Sequence, residues 1–277
     1  MNKIVGVDVG GTKMLMIGNG RIEKKVPTGK SFSKADLKYE LDSFVSGLPF
    51  IPDALGIALP GLVENAKTLM TSDVLPQISG IDIEYLRQEH CLIYLINDVK
   101  AALIEETSDL SEKDIAVVIM VGTGIALGIR VGGELVNGYN GWAGELGSIP
   151  IPTPDGVQKL DEVASGASIL VKAQTDAATL IRKLEKDDPE MKGIVCSAGE
   201  YLGLGIATVI NILNPNIISL GGGALKYKYF YESAVESAKK FALPELWAEC
   251  KIGRVRRIDH VVVLGAQRYA EKMMRNG

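Results

Sequence analysis

Cysteine and histidine are scarce in this 277-residue chain, which has three cysteines and two histidines. Cys91, Cys196 and Cys250 are odd in number and widely spaced, so they match neither a disulfide framework nor a zinc site. This use of cysteine is typical of a reducing compartment. His90 and His260 lie far from any paired cysteine. The sequence therefore predicts a protein without a Cys/His metal site.

An excess of positive charge is also missing, because 30 Lys and Arg residues are set against 34 Asp and Glu, for a net charge of −4. This balance gives no electrostatic reason to expect nucleic acid or an anionic membrane as a partner. We find no signal-peptide core, and no apolar run approaches the roughly 20 residues that a membrane span needs. With 47% hydrophobic residues the chain can bury a large core. We expect a soluble cytoplasmic protein with one large or two medium domains.

Apolar runs alternate with helical patterns along the chain, which predicts an α/β fold with parallel pairing at each crossover. The predicted strands are 3–9, 14–18, a third run that follows the turn Gly18–Gly20 and ends at Val26, 54–59, 91–96, 114–121, 125–131, 134–136, 217–220 and 260–264. The predicted helices are 34–47, 83–90, 97–107, helical stretches around 167–186, 197–213, 226–243 and 267–275. Residues 137–166 are rich in Gly and Pro and indicate a functional loop region.

Two parts of the chain begin in the same order: strand, Gly-Thr turn, strand, Gly-rich turn, short strand. The Gly-Thr pairs are Gly11-Thr12 and Gly122-Thr123, and the polar stretch Ser108–Lys113 separates the two parts. An internal duplication explains this order, but so few residues are identical that chance similarity explains it too.

The turn Asp8–Lys13 closes the first strand with a carboxylate, two glycines, a hydroxyl and a lysine. Glycines without a Cβ let successive N–H groups point at one anion. Thr12 adds a hydroxyl donor, Lys13 a cation, and Asp8 a carboxylate able to hold a hydrated magnesium ion. The same residues also fit a tight hairpin turn without any ligand.

Three glycine turns follow apolar strands, and in open α/β sheets ligands bind beyond the carboxyl ends of strands. The three turns are therefore expected to bind the phosphates and nucleoside of one nucleotide, although no P-loop sequence is present. The predicted nucleotide-binding residues are Asp8, Gly10, Gly11, Thr12, Lys13, Gly122, Thr123, Gly124, Gly221, Gly222 and Gly223.

Seven motifs in chain order, read together, resemble the ROK family (repressors, open reading frames and kinases). They are 8–13, 56–61, 97–102, 122–124, 138–147, 164–166 and 221–223. The resemblance implies a sugar kinase of the actin/hexokinase ATPase fold, with two ribonuclease-H-like domains around a central cleft, usually dimeric, using ATP and Mg²⁺. In that fold the last helix crosses back to the first domain, which implies domains at 1–112 with 265–277, and at 113–264.

The resemblance also implies roles for individual residues. Asp98 matches the catalytic base that phosphoryl transfer to a hydroxyl requires, Asn97 and Glu145 match residues that bind sugar hydroxyls, and Pro60 and Gly61 border the sugar pocket. A helix N-terminus favours an ionised carboxylate at Asp98. An Asn-Asp pair at that place also fits simple helix capping, and Glu145 also fits a solvated loop charge.

The chain departs from the family pattern on the sugar side. Ser148 stands where the family has a histidine, and residues 149–159 contain none of the zinc-binding cysteines, so no zinc is expected. Asp161 aligns with a second sugar-binding glutamate, with Glu162 as a competing assignment, and Lys100 replaces a common asparagine. These changes predict a sugar that differs from glucose near its anomeric end, or relaxed selectivity.

The expected activity is ATP- and Mg²⁺-dependent phosphorylation of a hexose or related sugar at a primary hydroxyl. The family's repressor branch carries a DNA-binding domain ahead of the first motif, and only seven residues precede Asp8 here. A sugar-binding protein without turnover, and a kinase with another phosphoryl donor or acceptor, both stay open.

Overall fold

The computed structural model describes residues 3–19 and 22–276 as an α/β protein. Its strands are β1 Ile4–Val9, β2 Lys13–Gly18, β3 Ile22–Pro27, β4 Ala54–Leu59, β5 Leu62–Glu64, β6 Thr68–Thr71, β7 Ile81–Asp82, β8 Leu92–Asn97, β9 Ala116–Val121, β10 Ile125–Val131, β11 Glu134–Leu135, β12 Pro150–Thr153, β13 Gly156–Lys159, β14 Ile217–Gly221 and β15 Lys251–Arg254. Its helices are α1 Lys34–Ser46, α2 Asp98–Glu106, α3 Leu160–Ala164, α4 Gly166–Ala173, α5 Ala177–Glu185, α6 Pro189–Leu213, α7 Phe230–Phe241, α8 Pro244–Glu249 and α9 Val261–Asn276.

The chain forms two compact units. The first comprises Met1–Asp109, Gly138–Trp142 and Asp259–Gly277, and the second comprises Leu110–Asn137 and Ala143–Ile258. The domain boundaries predicted from the sequence, after residues 112 and 264, differ from these limits by a few residues and stay a prediction of where independent domains begin and end.

Each unit contains a five-stranded sheet, and the two sheets have the same topology. Their strand orders are β3-β2-β1-β4-β8 and β11-β10-β9-β14-β15. In each sheet three antiparallel strands are followed by two parallel ones: β1 pairs with β4 and β4 with β8, while β9 pairs with β14 and β14 with β15. A shared strand order of this kind favours internal duplication over chance similarity as the origin of the repeated pattern.

In the first unit the sheet is covered on both faces. Val5, Val7 and Val9 alternate along β1 and pack into the same core as Leu37 and Leu41 of α1, as period-two strands require.

Helix α9 packs very closely against the other face of this sheet. A Cβ on Gly56 of β4 would lie 1.9 Å from the Ala266 carbonyl oxygen, and one on Gly265 of α9 would lie 1.8 Å from that of Ala101 in α2. Only glycine fits at these two positions. Helix α9 therefore packs directly on the strand backbone and on α2.

Helix α6 is the central helix of the second unit and packs against α3, α4 and α7. By length and composition alone this 25-residue helix is apolar enough to cross a membrane, with a mean hydropathy of 1.5 over its most apolar window. About half of that window, 56%, is buried inside the unit. Its burial accounts for its composition as that of a core helix.

Two predicted elements are wrong. The predicted helix 83–90 is a series of turns ending in an isolated bridge between Gln88 and Cys91. The predicted strand 260–264 is the first turn of α9, where Val261 and Val263 are fully buried. A turn at Gly18–Gly20 falls partly outside the described residues. The hairpin β12–β13 and the edge strand β15 were not expected.

Candidate functional site

The turn after β1 positions the first group of predicted site residues. The Gly10 N–H donates to the Lys13 carbonyl oxygen at 2.8 Å, and the Thr28 hydroxyl donates to the Gly10 carbonyl oxygen at 2.6 Å. The side chain of Thr12 is exposed. Thr28, which directly follows β3, therefore stabilises this turn. It was not among the predicted site residues.

Asp8 lies at the end of β1, paired with Leu15 on one side and with Ala58 on the other. Burial, followed by the nearby negative charge of Asp98, raises the pKa of Asp8 to about 7, and the Lys13 ammonium opposes this rise. Two neighbouring carboxylates in a partly desolvated setting repel each other until a cation is bound. The arrangement suits a divalent cation.

Asn97 ends β8 and is the N-cap of α2. Its side-chain oxygen accepts hydrogen bonds from the Val99 and Lys100 N–H groups at 3.1 and 3.2 Å. Asp98 is the first residue of the helix, half-buried, with its Oδ1 2.8 Å from the Val99 N–H. The cap is therefore chiefly Asn97, so that capping alone does not account for the carboxylate that follows it.

Gly61 and Pro60 follow β4 in the same unit and lie beside Asn97. The Asn97 side-chain amide donates to the Gly61 carbonyl oxygen at 2.9 Å. Gly61 has a φ of 116°, and a Cβ there would lie 2.1 Å from the Thr71 carbonyl oxygen, so only glycine fits. Pro60 is buried. The structure thus brings Asn97, Asp98 and Gly61 together at the carboxyl ends of β4 and β8.

Lys100, which replaces the asparagine of the family motif, connects α2 to the segment 138–142. Its Nζ donates to the Gly141 carbonyl oxygen at 3.1 Å. Within this segment Tyr139 is fully exposed and Trp142 is 41% exposed. Trp142 is therefore not a residue of the core.

In the second unit two glycine turns meet the N-terminus of α4. The Gly166 N–H donates to the Gly122 carbonyl oxygen at 2.8 Å, and a Cβ on Gly166 would lie 2.6 Å from that oxygen. Gly222 lies against the Val121 backbone. The turns 122–124 and 221–223 are therefore neighbours, with Thr123 exposed. The motif 164–166 belongs to the family pattern, but Gly166 was not among the predicted site residues.

Glu145 and Ser148 flank a single 3₁₀ turn, Leu146–Ser148. Both side chains are exposed, while Leu146 and Gly147 between them are buried. Burial of Leu146 and Gly147 fixes the turn to the second unit. The side chains of Glu145 and Ser148 are therefore exposed from one short segment.

Asp161 lies directly under that turn and Glu162 does not. The Asp161 carboxylate accepts the Ile125 N–H at 2.6 Å, and its oxygens surround the place where a Cβ on Gly147 would be. Burial raises its pKa, and the Ile125 hydrogen bond opposes that rise. Glu162 instead accepts the Lys159 N–H at 2.8 Å as part of the α3 cap. Of the two carboxylates, Asp161 is therefore the one that contacts the turn between Glu145 and Ser148.

Among the described residues, no group of three or more His, Cys, Asp and Glu side chains is placed to hold a metal ion. Asp8 is the carboxylate that fits a hydrated Mg²⁺, because magnesium commonly keeps several waters and needs one or two protein carboxylates beside substrate phosphates.

The fold is the actin/hexokinase ATPase fold, with two sheets of one topology, each followed at the carboxyl ends of its strands by glycine turns and carboxylates. The ROK family profile matches residues 4–273, nearly the whole chain. The chain belongs to the ROK family, as its motifs indicated.

Several relatives of this chain are named as sugar kinases, and one is named as a putative xylose repressor of Caldicellulosiruptor. The chain is 28% identical over 269 residues to a glucokinase of Halalkalibacterium halodurans, covering 80% of each chain, and 24% identical over 266 residues to an N-acetyl-D-glucosamine kinase of Pectobacterium atrosepticum, covering 82% of this chain and 86% of the relative. A ROK family glucokinase of Streptomyces griseus, solved with glucose and AMPPNP, superposes with a TM-score of 0.83 at 20% identity, over 98% of this chain and 100% of that one. The predicted fold is confirmed.

Proposed function

We propose that this protein is an ATP- and Mg²⁺-dependent kinase that phosphorylates a primary hydroxyl of a hexose or amino sugar, with Asp98 as the general base. The observation that carries the proposal is the place of Asp98 in a ROK family chain. It opens α2 directly after β8, and the neighbouring Asn97 already supplies the helix cap. The positive end of a helix dipole stabilises negative charge, which suits a carboxylate that is to act as a base.

The proposed reaction transfers the terminal phosphoryl group of ATP to the sugar oxygen. Asp98 takes the proton from the attacking hydroxyl as the oxygen–phosphorus bond forms and ADP leaves. The N–H groups of the glycine turns, with Thr12 and Lys13, bind phosphate oxygens. Asp8 would hold hydrated Mg²⁺, which neutralises charge on the phosphates when it is bound.

For the sugar the proposal uses the residues that the family resemblance assigns, Asn97, Gly61, Glu145 and Ser148. Asn97 is fixed by its bonds to Gly61 and to α2, so that it is pre-organised to meet a hydroxyl. Asp161 is shorter than the family glutamate and bonds to the Ile125 N–H. The pocket near the sugar's anomeric end is then roomier, which favours a substituted sugar or relaxed selectivity.

An ADP-release assay with a panel of sugars tests this function. Glucose, N-acetylglucosamine and N-acetylmannosamine are each supplied with ATP and Mg²⁺, and polyphosphate replaces ATP in a parallel series. Sugar-dependent ADP formation that Asp98→Asn abolishes supports the proposal. Sugars that raise the melting temperature without any ADP formation would instead identify a sugar-binding protein without turnover.

A cytoplasmic location and a homodimer belong to the same proposal. The first rests on the composition of the chain, and the second on the family alone. Sedimentation equilibrium measures the second directly, since a monomer at micromolar concentration would contradict it.

A further inference from the structure

A second concave site lies in the first unit, at the other end of β8 from Asp98. The cavity has a volume of about 680 Å³ and is lined by residues of the β5–β6 turn, the turns 83–91, the start of β8 and α9. This volume is in the range of small-molecule sites. Leu92 at the start of β8 is six residues from Asp98, roughly 20 Å along an extended chain. The cavity is therefore separate from the candidate active site.

The lining of the cavity combines apolar and basic side chains. Ile93, Met273 and the half-exposed Leu92 are its apolar part. The exposed side chains of Lys67 and Arg87 are its cationic rim. Among the described residues, no carboxylate forms an ion pair with either cation. Glu84 also lines the cavity and His90 adds a further basic group. Burial, together with the charge of Asp53, raises the pKa of the Cys91 thiol to about 12, so this thiol is inert at neutral pH.

The edge of the sheet adds an open main-chain donor. The Leu95 N–H donates outward to the Ala66 carbonyl oxygen at 2.9 Å, while the Leu92 N–H donates to Asp53 beside β4 at 3.0 Å. Because amides alternate in direction along a strand, the N–H of Ile93 points outward as that of Leu95 does. Ile93 lines the cavity and is 8% exposed, so a ligand acceptor there would satisfy a buried donor.

Backbone strain is concentrated around the same cavity. Asn65, Ala66 and His90 have φ values of 51°, 58° and 59°. The first two form the tight turn between β5 and β6, closed by the Lys67 N–H to the Glu64 carbonyl oxygen at 2.9 Å. Glycine is the usual second residue of such a turn, yet here Ala66 places a methyl group against the cavity. Strain of this kind clusters at ligand sites.

We propose that this cavity binds a small organic anion, one that carries a flat apolar ring and a phosphate group. The ring lies on Ile93, Leu92 and Met273, and the phosphate contacts Lys67 and Arg87 at the rim. This site is independent of the proposed kinase reaction.

The test uses 1-naphthyl phosphate, titrated calorimetrically into the full chain in the presence of excess AMPPNP, so that any nucleotide site is occupied. Inorganic phosphate and 1-naphthol are titrated in parallel, because each has only half of the proposed features. The variant Lys67→Ala/Arg87→Ala removes the cationic rim. The matched control, Lys186→Ala/Lys239→Ala, removes two exposed lysines of the second unit.

We expect one molecule to bind per chain, more tightly than either fragment. Affinity should fall at least tenfold in the rim variant, as loss of two charge-assisted contacts requires, and stay unchanged in the control. Leu92→Glu, at a side chain 53% exposed, should also abolish binding. No saturable binding, equal weakening in both double variants, or equally tight binding of inorganic phosphate would overturn the proposal. Sugar-dependent ADP formation is measured on the same variants and should not change, which separates this site from the kinase.

Discussion

The side-chain amide of Asn97 donates a hydrogen bond to the main-chain carbonyl oxygen of Gly61 at 2.9 Å, while its oxygen caps α2. One side chain thus joins the ends of β4 and β8 and sets the first turn of the helix that begins with Asp98. Separate mutations of Asn97 and Asp98 therefore distinguish the contribution of Asn97 to stability from the proposed chemistry of Asp98.

Asp98→Asn should lower kcat by about a thousandfold or more, because loss of a general base typically costs 10²–10⁴, while the melting temperature stays within about 3 °C. Initial-rate kinetics and thermal unfolding measure the two effects. The control is Asp73→Asn, an exposed carboxylate of the same unit. Equal rates for the Asp98 variant and the wild type would remove Asp98 from the mechanism.

Asn97→Ala should destabilise the protein by about 1–3 kcal/mol, because two helix N–H groups lose their acceptor and the Gly61 carbonyl oxygen loses its donor. Urea unfolding gives the free energy. Ser33→Ala removes the N-cap hydroxyl of α1, which accepts from the Asp36 N–H and donates to the Asp36 carboxylate, and should cost about 1 kcal/mol. If both variants cost the same, the link to Gly61 contributes nothing.

Gly166→Ala should raise the KM for ATP at least tenfold, because the added Cβ would lie 2.6 Å from the Gly122 carbonyl oxygen and must displace the glycine turn. Gly193→Ala is the matched helical control, since a Cβ there meets nothing within 4 Å. That control should be neutral or stabilising by up to about 1 kcal/mol. An unchanged KM in the Gly166 variant would show that the 122–124 turn does not contact the nucleotide.

Asp8→Asn should stabilise the Mg²⁺-free protein at pH 8 and have little effect at pH 4. The pKa of Asp8 is raised to about 7 in the folded chain, above the roughly 3.9 of an unfolded chain. The folded state therefore holds the extra proton between these values, and the aspartate's contribution to stability falls as the pH rises through that window. The gain at pH 8 should be about 4 kcal/mol, because roughly three pKa units separate the two states and each is worth about 1.4 kcal/mol.

Urea unfolding of both proteins in EDTA at pH 4, 6 and 8 measures this difference. The variant Asp73→Asn serves again as the exposed comparison. A gain that is the same at all three pH values would contradict the assigned pKa.

Ser148→His restores the residue common in family kinases at an exposed position of the 3₁₀ turn. We expect kcat/KM for unsubstituted glucose to rise relative to N-acetylated sugars, because an imidazole adds a polar group and narrows the pocket. Competition assays with paired sugars measure the ratio. Glu134→Gln, a charge change at an exposed strand residue of the same unit, is the comparison. A ratio unaffected by the histidine would separate Ser148 from the sugar site.

Local patterns predicted much of the fold because their causes are local. Asn97 was predicted near the start of a helix from residue type alone, and it is the N-cap of α2. The wrong strand at 260–264 has a tertiary cause. Val261 and Val263 are β-branched and suit a strand, but they are buried when α9 packs on the first sheet, and that packing determines their structure.

Contacts between distant residues could not be predicted from spacing. The bond from Lys100 to Gly141 spans 41 residues and that from Ile125 to Asp161 spans 36. Each depends on loop conformations that no period or motif encodes. The family resemblance assigned Asp161 to the sugar site and noted Lys100 as a replaced asparagine. The structure shows which main-chain groups the two side chains contact.

The seating of α9 against Gly56 and Ala101 has a consequence for biosynthesis. A ribosome delivers β1, β4 and α2 first, yet the helix that covers them emerges about 150 residues after α2 ends, and at 5–20 residues per second that delay lasts roughly ten to thirty seconds. During this interval the face of the first sheet that α9 later covers, which includes Gly6 and Gly56, is exposed and can form non-native contacts. The second unit is nearly contiguous in the chain, so it can fold before α9 completes the first unit.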